Sequence, residues 1–219
     1  IYSEIPKINF FYFLTISDSG KTIQRNLQYG ATGGYEVVDD WKLEKNIQYE
    51  VDSLRNNLRK GIRPPTGKVD VVLAPEVTGI AVHESGGHPY EADRIFGREA
   101  AQAGESFVKG DMIGTKIANK NINLVDDPTL KGSFGFFDYD DEGVRAKRKY
   151  MVKEGRINEF MHDRASAFKM GLDSNGSARA TGFSFEPLVR MSNTFLLPGK
   201  YSEEEMIKDV KKGIYFKNF

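Results

Sequence analysis

Two histidines flank a glutamate in His83-Glu84-Ser85-Gly86-Gly87-His88, and they are two of only three histidines in a chain of 219 residues. Neutral imidazole is the commonest side-chain ligand for zinc. A carboxylate beside the first imidazole is placed to take a proton from metal-activated water. The chemistry suggested is metal-assisted hydrolysis, with His83 and His88 as metal ligands and Glu84 as the proton carrier. In the familiar His-Glu-x-x-His form both rings share one helix face at i and i+4. Here the spacing is i and i+5, which on a regular α-helix sets the rings roughly 140° apart around the axis. The motif therefore predicts a helix that is widened or broken at this point. Gly86 and Gly87 tolerate backbone geometry that other residues resist, and Pro89 lacks the N–H that would continue the ladder.

A catalytic zinc usually keeps three protein ligands and one water, and a third ligand is not obvious. His162, the remaining imidazole, and Glu91 are the candidates within the chain. Glu91 or Asp93 could instead hold a ligating imidazole from behind. Asp138-Tyr139-Asp140-Asp141-Glu142-Gly143 opens like a calcium loop, but the twelfth position, where that loop needs Glu, is Lys149. A solvated acidic turn is the expectation there. Arg145, Lys147, Arg148 and Lys149 read as an exposed, basic strand edge.

The elements that must carry these residues follow from periodicity. Phe10 to Ile16 and Thr22 to Tyr29 alternate around Ser17-Asp18-Ser19-Gly20 and predict a β-hairpin. Ala31 to Tyr35 reads as a further extended segment with its loop. A helix from about Trp41 to Lys60, capped by Asp39 or Asp40, buries Leu43, Ile47, Val51, Leu54 and Leu58, and Gly61 with Pro64-Pro65 ends it. Lys68 to Ala74 reads as a largely buried strand. Pro75 and Glu76 then start the motif helix, with Val77, Ile80, Ala81 and Val82 on its buried side. Strands are expected at Ile122 to Val125, Lys147 to Val152 and Ile157 to Met161, the last two joined through Lys153-Glu154-Gly155-Arg156. A short helix is expected over Asp163 to Gly171, a loop over Ser174 to Thr181, and a final helix capped by Ser202 with Glu205 in a capping box. The fold class is α+β: strand–helix units with the metal-binding helix packed on a β-rich C-terminal half.

Composition narrows the function. Basic and acidic residues balance at 31 each, so no global field favours nucleic acid or an anionic membrane. The chain contains no cysteine, hence no disulfide or thiolate ligand. No apolar run approaches the roughly 20 residues of a membrane span, and no signal peptide is visible. Ile1 and Phe219 look like cuts within a longer protein.

Taken in order, several segments resemble the TldD/PmbA family of metallopeptidases. His83-Glu84-x-x-Gly87-His88-x-x-Glu91-Ala92-Asp93 is similar to its active-site helix. Asp126-Asp127-Pro128, Asp140-Asp141-Glu142-Gly143, Gly155-Arg156, Ser177-Ala178-Arg179-Ala180, Arg190-Met191-Ser192-Asn193-Thr194 and Leu197-Pro198-Gly199 follow in the expected sequence. Ser85 and Pro89 depart from the smaller residues usual there. The resemblance covers most of Lys68 to Phe219 and is to the TldD type, which keeps both histidines.

It implies that residues 1–65 end an N-terminal domain and that residues 66–219 begin a truncated C-terminal metallopeptidase domain. It also implies zinc on His83 and His88, with Glu84 activating water and passing its proton to the leaving amine. The third ligand would be a downstream cysteine, so this chain alone lacks one ligand and with it a complete site. A cytoplasmic peptidase of peptides or unfolded chains is implied, dimeric with a second copy or a related subunit. The other function class is a non-catalytic regulatory or interaction module of the same family.

Overall fold

Alternation of apolar and polar residues at the start of the chain produces its longest strand pair. A computed structural model describes residues 2–98 and 106–218. In it β1 (Lys7–Asp18) and β2 (Lys21–Thr32) run antiparallel, with Ile16 opposite Ile23 and Lys7 opposite Thr32. Ser19 and Gly20 both take positive φ, 52° and 76°, as a two-residue hairpin turn requires. The predicted hairpin is present and longer than periodicity suggested, because Ala31 and Thr32 extend β2.

Helix α1 (Leu43–Lys60) packs on this hairpin. Leu54 is buried and Leu43, Ile47, Val51 and Leu58 are half-buried, as their spacing predicts. Neither Asp39 nor Asp40 caps it. Both lie in a 3-10 turn over Tyr35–Trp41, and Lys42 precedes the helix in a left-handed conformation. The Trp41 ring sits 5.5 Å from that of Tyr29, which anchors the turn and moves the helix start two residues downstream. Beneath α1, Glu50 is buried in an ion pair with Arg25.

The rest of the chain is built around four strands in the order β6-β5-β4-β9: β6 (Arg156–Ile157), β5 (Lys149–Lys153), β4 (Leu124–Asp126) and β9 (Thr194–Leu196). All neighbours are antiparallel. Residues 158–162 leave the sheet and lie beside Tyr90–Ala92, where Met161 N–H donates to the Tyr90 carbonyl at 2.9 Å and Ala92 N–H to the Met161 carbonyl at 3.0 Å. That departure leaves β6 shorter than predicted. The core gathers here, with Tyr90, Val108, Met151, Ile157, Phe160, Met161 and Val189 almost wholly buried. Helix α2 (Pro75–Val82) packs on β9. The architecture is α+β, as the pattern predicts.

Other expectations change. β3 (Asp70–Leu73) pairs in parallel with β10 (Gly213–Phe216), but three of its four residues are exposed. A two-stranded sheet gives it too little cover for the burial its apolar run suggested. On α2, Val82 is buried and Val77 half-buried, whereas Ile80 and Ala81 are exposed.

The loop over Ser174 to Thr181 contains β7 (Ala178–Arg179), paired with β8 (Leu188–Val189). The predicted helix at Asp163 is α4 (Arg164–Lys169), with the Asp163 carboxylate accepting from Ser166 N–H. Ser202 and Glu205 form the expected capping box on α5 (Glu203–Asp209).

The acidic turn is solvated except at Asp140, which is buried, its carboxylate accepting from the backbone N–H of Glu142, Val144 and Ala178 at 2.8–3.1 Å. Of the basic stretch, Arg145, Lys147 and Arg148 are exposed as expected but precede β5, and only Lys149 enters that strand, which is interior to the sheet. Lys149 is fully buried with its Nζ 3.0 Å from Asp126 Oδ2. Among the described residues no helix is long and apolar enough to cross a membrane.

Candidate metal centre

The helix that starts at Pro75 does not stay α-helical through the two-histidine motif. Residues His83–Gly87 form a π turn, closed by a hydrogen bond from His88 N–H to the His83 carbonyl. That i→i+5 bond matches the i→i+5 spacing of the two histidines, and single π turns inside α-helices are frequent at functional sites. A 3-10 turn over His88–Tyr90 follows, then the single turn α3 (Ala92–Ile95). The two imidazoles that a regular helix would splay lie with ring centroids 4.7 Å apart and planes at 84°. Ring nitrogens of His83 and His88 and a carboxylate oxygen of Glu84 all fall within 4.8 Å of one another.

The glycines have a second reason to be glycines. A β-carbon on Gly86 would come within 2.9 Å of Leu124 Cδ2 on β4, and one on Gly87 would overlap Met191 Sδ. The turn is therefore pressed directly onto β4 and the Met191 segment.

Glu91 stands behind His88. Its side chain is fully buried, and its Oε2 lies 2.9 Å from His88 Nδ1. An ionised carboxylate only accepts hydrogen bonds, so this contact places the proton on Nδ1 and leaves Nε2 as the free donor atom. Arg94, three residues on, is ion-paired to the same Glu91 oxygen. Of the two carboxylates considered for backing an imidazole, Glu91 is the one in contact with His88. Asp93 instead accepts from the N–H of Arg94 at 2.9 Å and of Val189 at 3.0 Å, tying α3 to β8. Sequence reasoning missed Arg94, although its i,i+3 spacing from Glu91 was a usable signal. Met191 and Leu124 carried no such signal.

Exposure separates the roles. The side chains of His83 and Glu84 are 51% and 66% exposed, that of His88 27%, and that of Glu91 0%. The cluster opens to solvent on a buried support. Neither His162 nor Glu91 belongs to the converging group. His162 is buried below α4 with Nδ1 3.2 Å from Ser166 Oγ. Burial pushes its pKa down to about 4, against a smaller upward pull from Asp163. Two imidazoles beside a carboxylate, one imidazole fixed through its far nitrogen, supply two donors of the kind zinc takes, one short of the usual three.

A family model described as the PmbA/TldA metallopeptidase C-terminal domain matches residues 66–219. A metalloprotease of Methanothermobacter thermautotrophicus is 39% identical across 86% of this chain and 39% of its own length. A zinc metalloprotease TldD homolog of Saccharolobus solfataricus is 33% identical across 83% of this chain and 38% of its own. The chain thus spans about two fifths of the length of these relatives. Among solved structures, a protein of Thermotoga maritima described as a putative modulator of a DNA gyrase superposes with a TM-score of 0.73. It is 18% identical and covers 95% of this chain and 44% of its own. At that identity the likeness is one of fold.

Proposed function

This chain belongs to the PmbA/TldD metallopeptidase family, and from that premise we propose that it supplies the zinc-holding and proton-carrying residues of a peptidase. The observation that carries the reading is the convergence of His83, Glu84 and His88 on one solvent-open π turn. In this reading His83 and His88 hold the zinc, and the name of a zinc-dependent relative supports that metal. Zinc, when bound, supplies a Lewis acid that polarises water and the scissile carbonyl. Glu84 accepts the proton of the attacking water and returns it to the leaving nitrogen as the C–N bond breaks. Glu91 keeps His88 in the tautomer whose Nε2 is available, and Arg94 holds Glu91 in place.

The substrate class is a peptide or unfolded polypeptide in extended form. Support comes from β9, which forms the outer edge of the four-stranded sheet next to α2 and the π turn. Backbone pairing along such an edge accepts many sequences. Proline or N-methylated residues in the substrate should block cleavage, and indifference to them would sink this part.

The family resemblance assigns the third ligand to a cysteine, which this chain does not contain. The 219-residue chain alone should therefore bind zinc weakly. Tight stoichiometric zinc in it, by elemental analysis, would contradict this. Assembly as a dimer, with a second copy or a related subunit, belongs to the same reading, as does a cytoplasmic location. Phe11 and Phe13, side by side and largely exposed on the hairpin, offer one surface for pairing. Light scattering decides the first and fractionation of cells the second.

The deciding experiment replaces Glu84 by Gln in the protein carrying this chain. Turnover should fall by about 100-fold or more while zinc content stays unchanged. His83→Ala should lose the metal itself. Full turnover in the Glu84→Gln protein would overturn the reading.

A further inference from the structure

Away from the histidine turn, the edge strand β6 and the segment before it enclose a basin of about 430 Å³. Lys116, Lys120, Lys153 and Arg156 line it, with Glu154 as its one acid. Among the described residues none of the four cations forms an ion pair with a carboxylate. Lys153 Nζ instead sits 5.8 Å from the centre of the Tyr150 ring, and Arg156 donates to the Gly114 carbonyl at 2.8 Å. In a chain of zero net charge, gathering four unpaired cations on one concavity raises a local positive potential that a bound anion relieves.

The walls of the basin are fixed. The Gly155 carbonyl accepts N–H groups from Ile117 and Ala118, and residues 114 and 115 exchange backbone hydrogen bonds with Ile157 at 2.7 and 3.0 Å. Gly155 sits at a positive φ of 73° with no room for a β-carbon against the carbonyls of Ala118 and Asn119. The cations are therefore presented on a rigid turn, which lowers the ordering cost of binding.

The basin shares Ile113 and Asn158 with a second cavity of about 520 Å³. Ile113, Phe160, Met170 and Leu172 supply its apolar wall, and Lys147, Glu159, His162, Asp173 and Asn175 are its further polar and charged groups. We propose that the two adjoining cavities form one binding site for an organic anion, with a phosphate or carboxylate head among the four cations and an apolar body against Phe160, Met170 and Leu172. Cationic groups select the charge, and the apolar chamber separates such a ligand from inorganic phosphate. This site is independent of the zinc residues.

Isothermal titration of the 219-residue chain with naphthyl phosphate and with inorganic phosphate, in EDTA to remove metal, tests it. Naphthyl phosphate should bind saturably and more tightly than inorganic phosphate, and more weakly as salt rises. Replacing Lys116 and Lys153 together by Gln should weaken it by about tenfold. Leu172→Ser, at a half-exposed position, should weaken naphthyl phosphate and leave inorganic phosphate unchanged. Absence of saturable binding, or binding indifferent to the double lysine variant, would overturn the site. Equal affinity for the two probes would overturn the role of the apolar chamber.

Discussion

Glu84 and Asp126 are both acids beside a cationic or basic group, yet their surroundings are opposite. The Glu84 side chain is two-thirds exposed, with the His83 imidazole nitrogen 4.0 Å from its carboxylate. Asp126 is fully buried, and its two oxygens accept from Ser192 N–H, Ser192 Oγ and Thr194 Oγ1 at 2.7–2.9 Å, with Lys149 Nζ at 3.0 Å. Asp127 beside it is held in the same way. Burial alone would raise its pKa, but hydrogen bonds from Thr129 and Arg148 overcome this and hold it below the usual carboxylate range. One region satisfies its charges internally and knits β4, β5 and β9 together. The other leaves them facing solvent on a turn whose backbone is closed. Asp126 and Asp127 are used up in holding the sheet together, whereas Glu84 keeps the exposure that its proposed role requires.

That contrast predicts a ranking of effects. The largest belongs to the seam. Asp126→Ala leaves Lys149 buried and uncompensated, which should cost about 3–5 kcal/mol of stability in urea unfolding. A loss under about 1 kcal/mol would mean the seam does not organise the sheet. Next is His162, whose imidazole titrates near pH 4 in the folded chain. The unfolded chain takes up that proton near pH 6.5, so between these values it binds more protons than the native state, and stability falls as the pH is lowered. The loss should reach about 3 kcal/mol by pH 4. His162→Gln should flatten that part of the profile, and an unchanged slope would remove His162 as its source.

Third is the packing under the turn. Gly87→Ala drives a methyl into Met191 and should cost about 1–3 kcal/mol, with weaker zinc binding because His88 moves. Pairing it with Met191→Ala should recover part of the zinc affinity. Smallest is Glu84→Gln, which should move stability by less than about 0.5 kcal/mol. A large destabilisation there would erase the distinction between the two regions.

Much of this was readable from residue types. The i→i+5 spacing demanded a distorted helix, and the glycines and Pro89 said where. The hairpin, the face of α1 and the Ser202–Glu205 capping box followed from local signals, because local forces set them, whereas the cap expected from Asp39 or Asp40 did not form. What was not legible depends on partners distant in sequence. Lys149 looks like a surface cation until Asp126 is placed opposite it on β4. Asp140 looks solvated until Ala178, on β7, brings its N–H. The burial of β3 was overestimated for the converse reason, since an apolar run cannot report how many strands will cover it. Gly86 and Gly87 were read as conformational freedom, and their close approach to Leu124 and Met191 has no local signature.

The π turn also acts as a change of phase. An extra residue within one turn of an α-helix rotates everything after it by roughly 100° relative to an uninterrupted helix. Upstream of His83, α2 keeps the rotation that seats Val82 in the core. Downstream, the shifted rotation is the one that brings Tyr90 and Ala92 into register with Met161 and turns Glu91 inward onto His88. Deleting Ser85 would give the shorter His-Glu-x-x-His spacing on a regular helix, yet it would swing Glu91 away from its imidazole and break the pairing with residues 160–162. The longer spacing thus lets one continuous segment obey two incompatible angular demands, one set by the sheet behind it and one by the converging imidazoles in front.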